Sequence, residues 1–333
     1  MPALLRPGPD PRPDSEYEDL LGQWSDLEAF VSTLLARPDC VRGFASKVAQ
    51  GEQWLAELVA HDVDAALYLM FQLATTSTVG YSASHALVCA ALCHILGREL
   101  ALAPHEHSSL VRAAFTMNIG MTALQDELAL QQAPLSAAQQ RIVAQHAEAG
   151  RETLERLEVA DRLWLDVVGQ HHPAADAAPL RPALLPLPER LARILSTTDR
   201  YAAMISPRKW RRGRSATDSV RSIVGAEALV DDEVGVVLVR AVGLCPPGTF
   251  VRLDNGEVAV VLRRSERVNS PLVASVVSAD GEALATPCLH RTADGAVRIQ
   301  SALARSAVGV ELNQRTMVRL GHYAASHGRP PAR

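Results

Sequence analysis

The chain from residue 81 to 214 opens on Tyr81-Ser82-Ala83-Ser84-His85. It passes through Thr116-Met117-Asn118-Ile119-Gly120-Met121 and Ala144-Gln145-His146-Ala147-Glu148-Ala149-Gly150 to His171-His172-Pro173. Beyond a proline-rich loop, Leu191-Ala192-Arg193-Ile194-Leu195 leads to Asp199, Tyr201-Ala202-Ala203-Met204 and Ser206-Pro207-Arg208-Lys209-Trp210-Arg211. Apolar residues recur here every three to four positions, the period of a helix with one buried face. The spacing predicts helices over 83–98, 106–117 and 189–204. Another follows Ser136 through 149, and one runs from Asp161 to His171. Further helices are expected from about Thr217 and over 231–242.

Toward the N-terminus, Leu20, Leu21, Trp24, Leu27, Val31 and Leu34-Leu35 continue the helical period. Asp64 reads as the N-cap of a helix holding Leu67, Met70, Phe71 and Leu73. Residues 1–15 carry five prolines and little to bury, so a disordered tail is expected. Toward the C-terminus the period changes at Cys245-Pro246-Pro247-Gly248. Residues 249–253 and 257–263 flank Asp254-Asn255-Gly256, a strong hairpin signal. Residues 271–278 and 282–286 flank Ala279-Asp280-Gly281, and Ala293-Asp294-Gly295 precedes Val297-Arg298-Ile299. A closing helix is read over 311–325.

The expected architecture is mainly α: a helical bundle with an N-terminal helical segment and a small antiparallel β appendage. Its parts are a tail over 1–15, the N-terminal segment over 16–75, the main helical domain over 76–245, the appendage over 246–300, and a C-terminal helix and tail over 301–333.

Composition bounds the function. The 333 residues are 48% hydrophobic and 21% charged, as in a globular protein with a real core. Aromatics are only 4%, so Leu, Val and Ala fill that core. A formal net charge of -4 argues against a nucleic-acid binder. No apolar run reaches the ~18 residues of a membrane span. The five cysteines show no framework spacing, and Cys89 and Cys93 lie one helical turn apart in an apolar run. A reduced, cytoplasmic protein with buried thiols is expected.

Imidazole is the commonest side-chain metal ligand, and His171-His172 followed by Asp199 suit a borderline metal. Yet the histidines are too far apart in sequence for a local ligand motif. Taken alone they read as satisfied core or surface histidines sooner than as metal ligands.

Their order and context resemble the HD-GYP family, a bacterial branch of the HD phosphohydrolases. That family carries a helix-borne His, a His-Asp-x-Gly-Lys motif, a further His, a His-His-Glu, a Gly-Tyr-Pro loop and a later Asp followed by an Arg-rich stretch. His85, His146, His171, His172 and Asp199 match its ligand positions in order. Gly248-Thr249-Phe250-Val251-Arg252-Leu253 resembles a segment that often follows the domain. The resemblance covers about residues 65–290.

The departures fall on the chemistry. His-Asp is Met117-Asn118 and the motif lysine is Met121, with Ile119-Gly120 keeping the register. His-His-Glu is His171-His172-Pro173, and residues 174–180 replace the Gly-Tyr-Pro loop. Tyr81 stands where three-metal members carry a glutamate. The resemblance implies a two- or three-metal centre holding a hydroxide against the phosphodiester of cyclic di-GMP. Asn118 offers only a neutral carbonyl oxygen where the bridging carboxylate belongs. Met117 offers a thioether, which suits hard metals poorly.

No catalytic residue is therefore expected at Met117, Asn118 or Met121. One divalent ion at most (Fe, Mn or Zn) is expected, on His146, His171 and His172, while His85 and Asp199 keep half of another site. Arg208 and Arg211 match phosphate-contacting positions. The implied role is non-catalytic signalling, by binding a cyclic dinucleotide or a protein. The alternatives are a metal-dependent cyclic di-GMP phosphodiesterase with an altered metal site, and a structural scaffold with an empty pocket. Four blander readings stay open. Met117 and Met121 can be core packing, and His85 can simply hydrogen-bond Asp199. Arg208, Lys209, Arg211, Arg212 and Arg214 can be a solvated basic surface, and Cys89 with Cys93 can be core.

Overall fold

The computed structural model describes residues 14–76, 80–172, 185–205, 233–267 and 270–326. The helix expected from Thr217, the residue 174–180 loop, Arg208 and Arg211 lie outside the described residues.

Within them the helices are α1 (Asp14–Ala36), α2 (Phe44–His61), α3 (Val63–Thr76), α4 (Tyr81–Glu99), α5 (Pro104–Thr116), α6 (Thr122–Leu130), α7 (Ala137–Arg156), α8 (Arg162–Gln170), α9 (Leu187–Ile205), α10 (Glu233–Val242) and α11 (Gln314–Ser326). The strands are β1 (Phe250–Leu253), β2 (Val258–Arg263), β3 (Leu272–Val277), β4 (Ala283–Arg291) and β5 (Ile299–Leu303).

Helix α4 is the axis of the bundle. Every residue from Ser82 to Gly97 is buried, so it has no solvent face, unlike an amphipathic surface helix. Helices α1, α3, α5, α6, α9 and α10 pack around it. Side chains set the helix starts. Ser136 accepts from the Gln139 amide while the Gln139 side chain accepts from the Ser136 amide, a capping box that begins α7. Asp161 caps α8 through the Trp164 amide and also accepts from Ser109 Oγ on α5 at 2.8 Å, tying the two helices together. The cap expected at Asp64 falls two residues earlier, on Asp62. Asp62 Oδ1 accepts from the amides of Asp64 and Ala65, while the Asp64 carboxylate pairs with Arg263 and Arg264.

The five strands form one antiparallel sheet in the order β4-β3-β2-β1-β5. Asn255-Gly256 closes the β1–β2 hairpin, with Gly256 at φ +89°, where a glycine is unstrained. Strand β4 runs five residues further than the sequence pattern suggested, and β5 begins where the expected run ended. One face of the sheet, with Phe250, Val260, Leu262, Ala274 and Val276, joins the main core shared with the helices. The other face holds a small cluster of its own, Val251, Leu253, Ala259, Val261, Val273 and Val297. Arg263 at the end of β2 donates to Asp62 at 2.6 Å and so pins the sheet to the start of α3.

Among the described residues, no helix is long and apolar enough to cross a membrane.

Candidate metal centre

Three imidazoles converge where α7 meets the C-terminus of α8. His146 is 2% exposed and His171 is fully buried. His146 Nε2 lies 3.2 Å from His171 Nε2 and 3.2 Å from His172 Nε2. The other ring nitrogens settle the tautomers. His146 Nδ1 lies 2.6 Å from the Val143 carbonyl and His171 Nδ1 lies 2.7 Å from that of Val168. A carbonyl only accepts, so both Nδ1 atoms carry the proton.

The Nε2 lone pairs of His146 and His171 therefore face each other at hydrogen-bond distance with no proton of their own to share. That arrangement fits a cation. Metal–nitrogen bonds of about 2.0–2.1 Å at a near-tetrahedral angle put two nitrogens about 3.2–3.4 Å apart. The backbone carbonyls behind the rings are the outer partners that orient metal-binding histidines. Burial holds His146 below its ordinary pKa, with the charge of His172 acting the same way. His171 is pushed down to about 4 by burial and then by His172. Both rings are neutral at pH 7, the state a metal needs.

A second group faces the same cavity. His85 on α4 and Asp199 on α9 meet at 2.8 Å between Nε2 and Oδ1. This is the hydrogen bond that a metal-free reading of the pair requires. Burial raises the Asp199 carboxyl, but hydrogen bonding and charge from His85, with His171 and His172 adding to it, outweigh that and hold it at about 2. The Tyr81 ring stacks on His85 at 5.4 Å, so the residue in place of the extra glutamate covers the imidazole. Asp126 on α6 accepts from the Ser82 amide at 2.7 Å and from Ser82 Oγ at 2.9 Å, fixing the first turn of α4 one turn before His85.

The two groups share a cavity of about 450 Å³, lined by His85, Asn118, Met121, Gln125, His146, His172 and Asp199 among others. Asn118 lines the same cavity with a neutral amide. Met117 is 1% exposed and packed in the core, away from the cavity lining. Met121 is the exception to the core reading: it is half-buried and lines the cavity.

Sequence reasoning missed the far wall, Gln125, Leu128, Gln131 and Gln132, because α6 was not recognised as a helix. Cys89 lies in the core, as expected, and also beside the His85–Asp199 group. Cys89 is fully buried, yet its Sγ lies 3.6 Å from His85 Nε2. The i, i+4 spacing of His85 and Cys89 was the available signal. Burial raises the Cys89 thiol well above its ordinary pKa, with Asp199 and Cys93 adding to the effect.

Comparison with known proteins shows the family of this chain. The HD domain family model matches residues 64–234. A cyclic di-GMP phosphodiesterase from Pseudomonas aeruginosa is 28% identical over 189 residues, which is 56% of this chain and 45% of that protein. The match thus spans under half the length of that relative. A solved HDG"Y"P protein from Bdellovibrio bacteriovorus shares 12% identity and a TM-score of 0.49, over 70% of this chain and 72% of that one. The chain belongs to the HD domain family, the superfamily of which HD-GYP proteins are a branch.

Proposed function

We propose that this chain is a signalling protein that uses a degenerate HD-GYP site for binding rather than for hydrolysis. Its site takes at most one ion of the kind used for hydrolysis, on His146, His171 and His172. The observation that carries this reading is Asn118. It lines the cavity beside His85, His146, His172 and Asp199, where a bridging carboxylate would have to stand. Two dications at close range need that negative charge, and an amide carbonyl does not supply it. The Met121 thioether likewise puts no cation beside a phosphate group.

A metal bound on the three imidazoles would polarise a ligand oxygen as a Lewis acid. The protein's own part is to hold the Nε2 lone pairs inward through the Val143 and Val168 carbonyls. The cavity of about 450 Å³ is within the range of small-molecule sites. Its described lining holds no lysine or arginine. A cyclic dinucleotide bound there would draw its phosphate contacts from Arg208 and Arg211, outside the described residues.

The second reading is a phosphodiesterase with an altered metal site. The intact three-histidine group favours it, as does the likeness to a protein described as a cyclic di-GMP phosphodiesterase.

The test is manganese loading, dialysis and elemental analysis, with an assay of cyclic di-GMP hydrolysis. One manganese or fewer per chain and no turnover above buffer are expected. Two tightly held manganese ions, or manganese-dependent turnover lost in Asp199→Ala, would replace the first reading with the second.

A further inference from the structure

We propose that Cys89 completes a separate thiolate-containing seat, His85–Cys89–Asp199, for a thiophilic divalent cation such as cobalt(II) or zinc. The proposal rests on the reading that Asn118 leaves this half of the site without a bridging carboxylate. It concerns a sulfur-containing seat, separate from the all-nitrogen seat on His146, His171 and His172.

The geometry comes from two helices. His85 and Cys89 stand at i and i+4 on α4, so their side chains lie one above the other on one face. Asp199 reaches that face from α9. One Nδ1, Nε2, Sγ or carboxylate oxygen from each residue lies within 4.8 Å of the others. His85 Nε2 is the common neighbour, 2.8 Å from Asp199 Oδ1 and 3.6 Å from Cys89 Sγ. Metal–nitrogen bonds of about 2.0–2.1 Å and metal–sulfur bonds of about 2.3 Å put N and S about 3.6 Å apart at a tetrahedral angle. The sulfur is thus already at ligand distance. The His85–Asp199 pair, now closed by a hydrogen bond, would open by roughly half an ångström.

The charge also fits. On binding, the Cys89 S–H bond breaks and its proton goes to buffer as the sulfur–metal bond forms. Likewise the proton on His85 Nε2, shared with Asp199 in the metal-free state, moves to Nδ1, so the ring stays neutral as Nε2 turns to the metal. Thiolate and carboxylate together then carry two negative charges against one dication, with a neutral imidazole as third ligand. His85 Nδ1, buried and without a hydrogen-bond partner, can accept the displaced proton. A nitrogen, sulfur and oxygen set is the donor chemistry of zinc, and a soft sulfur discriminates against manganese and magnesium. His85 and Asp199 both line the cavity, which gives the ion a way in.

The experiment is cobalt(II) titration of the full chain, followed by absorption. Wild type should develop a near-ultraviolet sulfur-to-cobalt charge-transfer band saturating at one equivalent. The band should be lost in Cys89→Ala and in Cys89→Ser. It should persist in Cys93→Ala, an equally buried thiol one turn on, and in His146→Ala, which removes the other seat. Circular dichroism establishes that each variant is folded. X-ray absorption on zinc-loaded wild type needs no variant and should show one sulfur in the metal's coordination sphere. A wild type with no sulfur ligand, or a band unchanged in Cys89→Ala, overturns the proposal. Loss of cobalt binding only in His146→Ala would leave the three-histidine reading standing and this one fallen. A band that survives His146→Ala, with a wild type that binds no manganese, would do the reverse.

Discussion

A Cβ on Gly120 would lie 2.5 Å from the carbonyl oxygen of His146, closer than real Cβ contacts come. It would also meet the Gly150 amide nitrogen at 2.7 Å. The short turn Ile119–Met121 thus presses backbone to backbone against α7, and this contact brings Asn118 and Met121 to the cavity beside His146. Gly120→Ala should push the turn off α7, destabilising the fold by about 1–3 kcal/mol. Metal affinity should fall with it, because the His146 ring moves with its helix. Thermal unfolding and metal titration check this; an unchanged protein on both counts would show the turn to be slack.

If Met117, Asn118 and Met121 are what keep the proposed site to one hydrolytic metal, changing them should add a second. Met117→His, Asn118→Asp and Met121→Lys together are expected to bind a second manganese, each alone doing little, because a bridged pair needs both new ligands at once. Met117 is 1% exposed and in the core, so Met117→His alone should destabilise by roughly 1–3 kcal/mol as a buried, unpaired polar group. Stoichiometry by elemental analysis, with circular dichroism for folding, decides it. A folded triple variant with no extra manganese means the cavity itself has been reshaped.

Cyclic dinucleotide binding, if carried by Arg208 and Arg211, should weaken as salt rises, since exposed charge contacts are screened within about 8–10 Å. Arg208→Ala and Arg211→Ala should each lower affinity and flatten the salt dependence. Calorimetry at low and high salt measures both. Affinity indifferent to salt and to these changes would place the ligand elsewhere.

The Asp62–Arg263 bond gives the fold an acid-sensitive joint. Burial alone would raise the Asp62 carboxyl, but the Arg263 hydrogen bond and charge and the Ala65 amide outweigh it, so its pKa lies below the ordinary 3.8. A depressed carboxylate stabilises the folded state fully above 3.8, and that contribution is lost as pH falls through the folded value. Asp62→Asn should cost about 2 kcal/mol at pH 7. The gap between variant and wild type should narrow below pH 3.8. Chemical denaturation across pH measures it, and a gap that stays constant would mean that Asp62 acts only as a neutral cap.

The sequence by itself determined what depends on neighbours in the chain. The helical periods, the helix starts at Ser136 and Asp161 and the Asn255-Gly256 turn are local, and the structure shows them. The order of His85, His146, His171, His172 and Asp199, with Asn118 and Met121 out of pattern, was equally legible. Helix α6 was not: nine residues with little amphipathic contrast carry a weak periodic signal. Only the tertiary structure decided which faces look inward. Met117 and Met121 lie one turn apart, yet one fills the core and the other lines the cavity. Cys89 and Cys93 share the same spacing, yet Cys89 Sγ lies 3.6 Å from His85 Nε2. Periodicity says which side chains share a stripe. Whether that stripe meets leucines or histidines depends on helices tens of residues away, and packing alone brings those together.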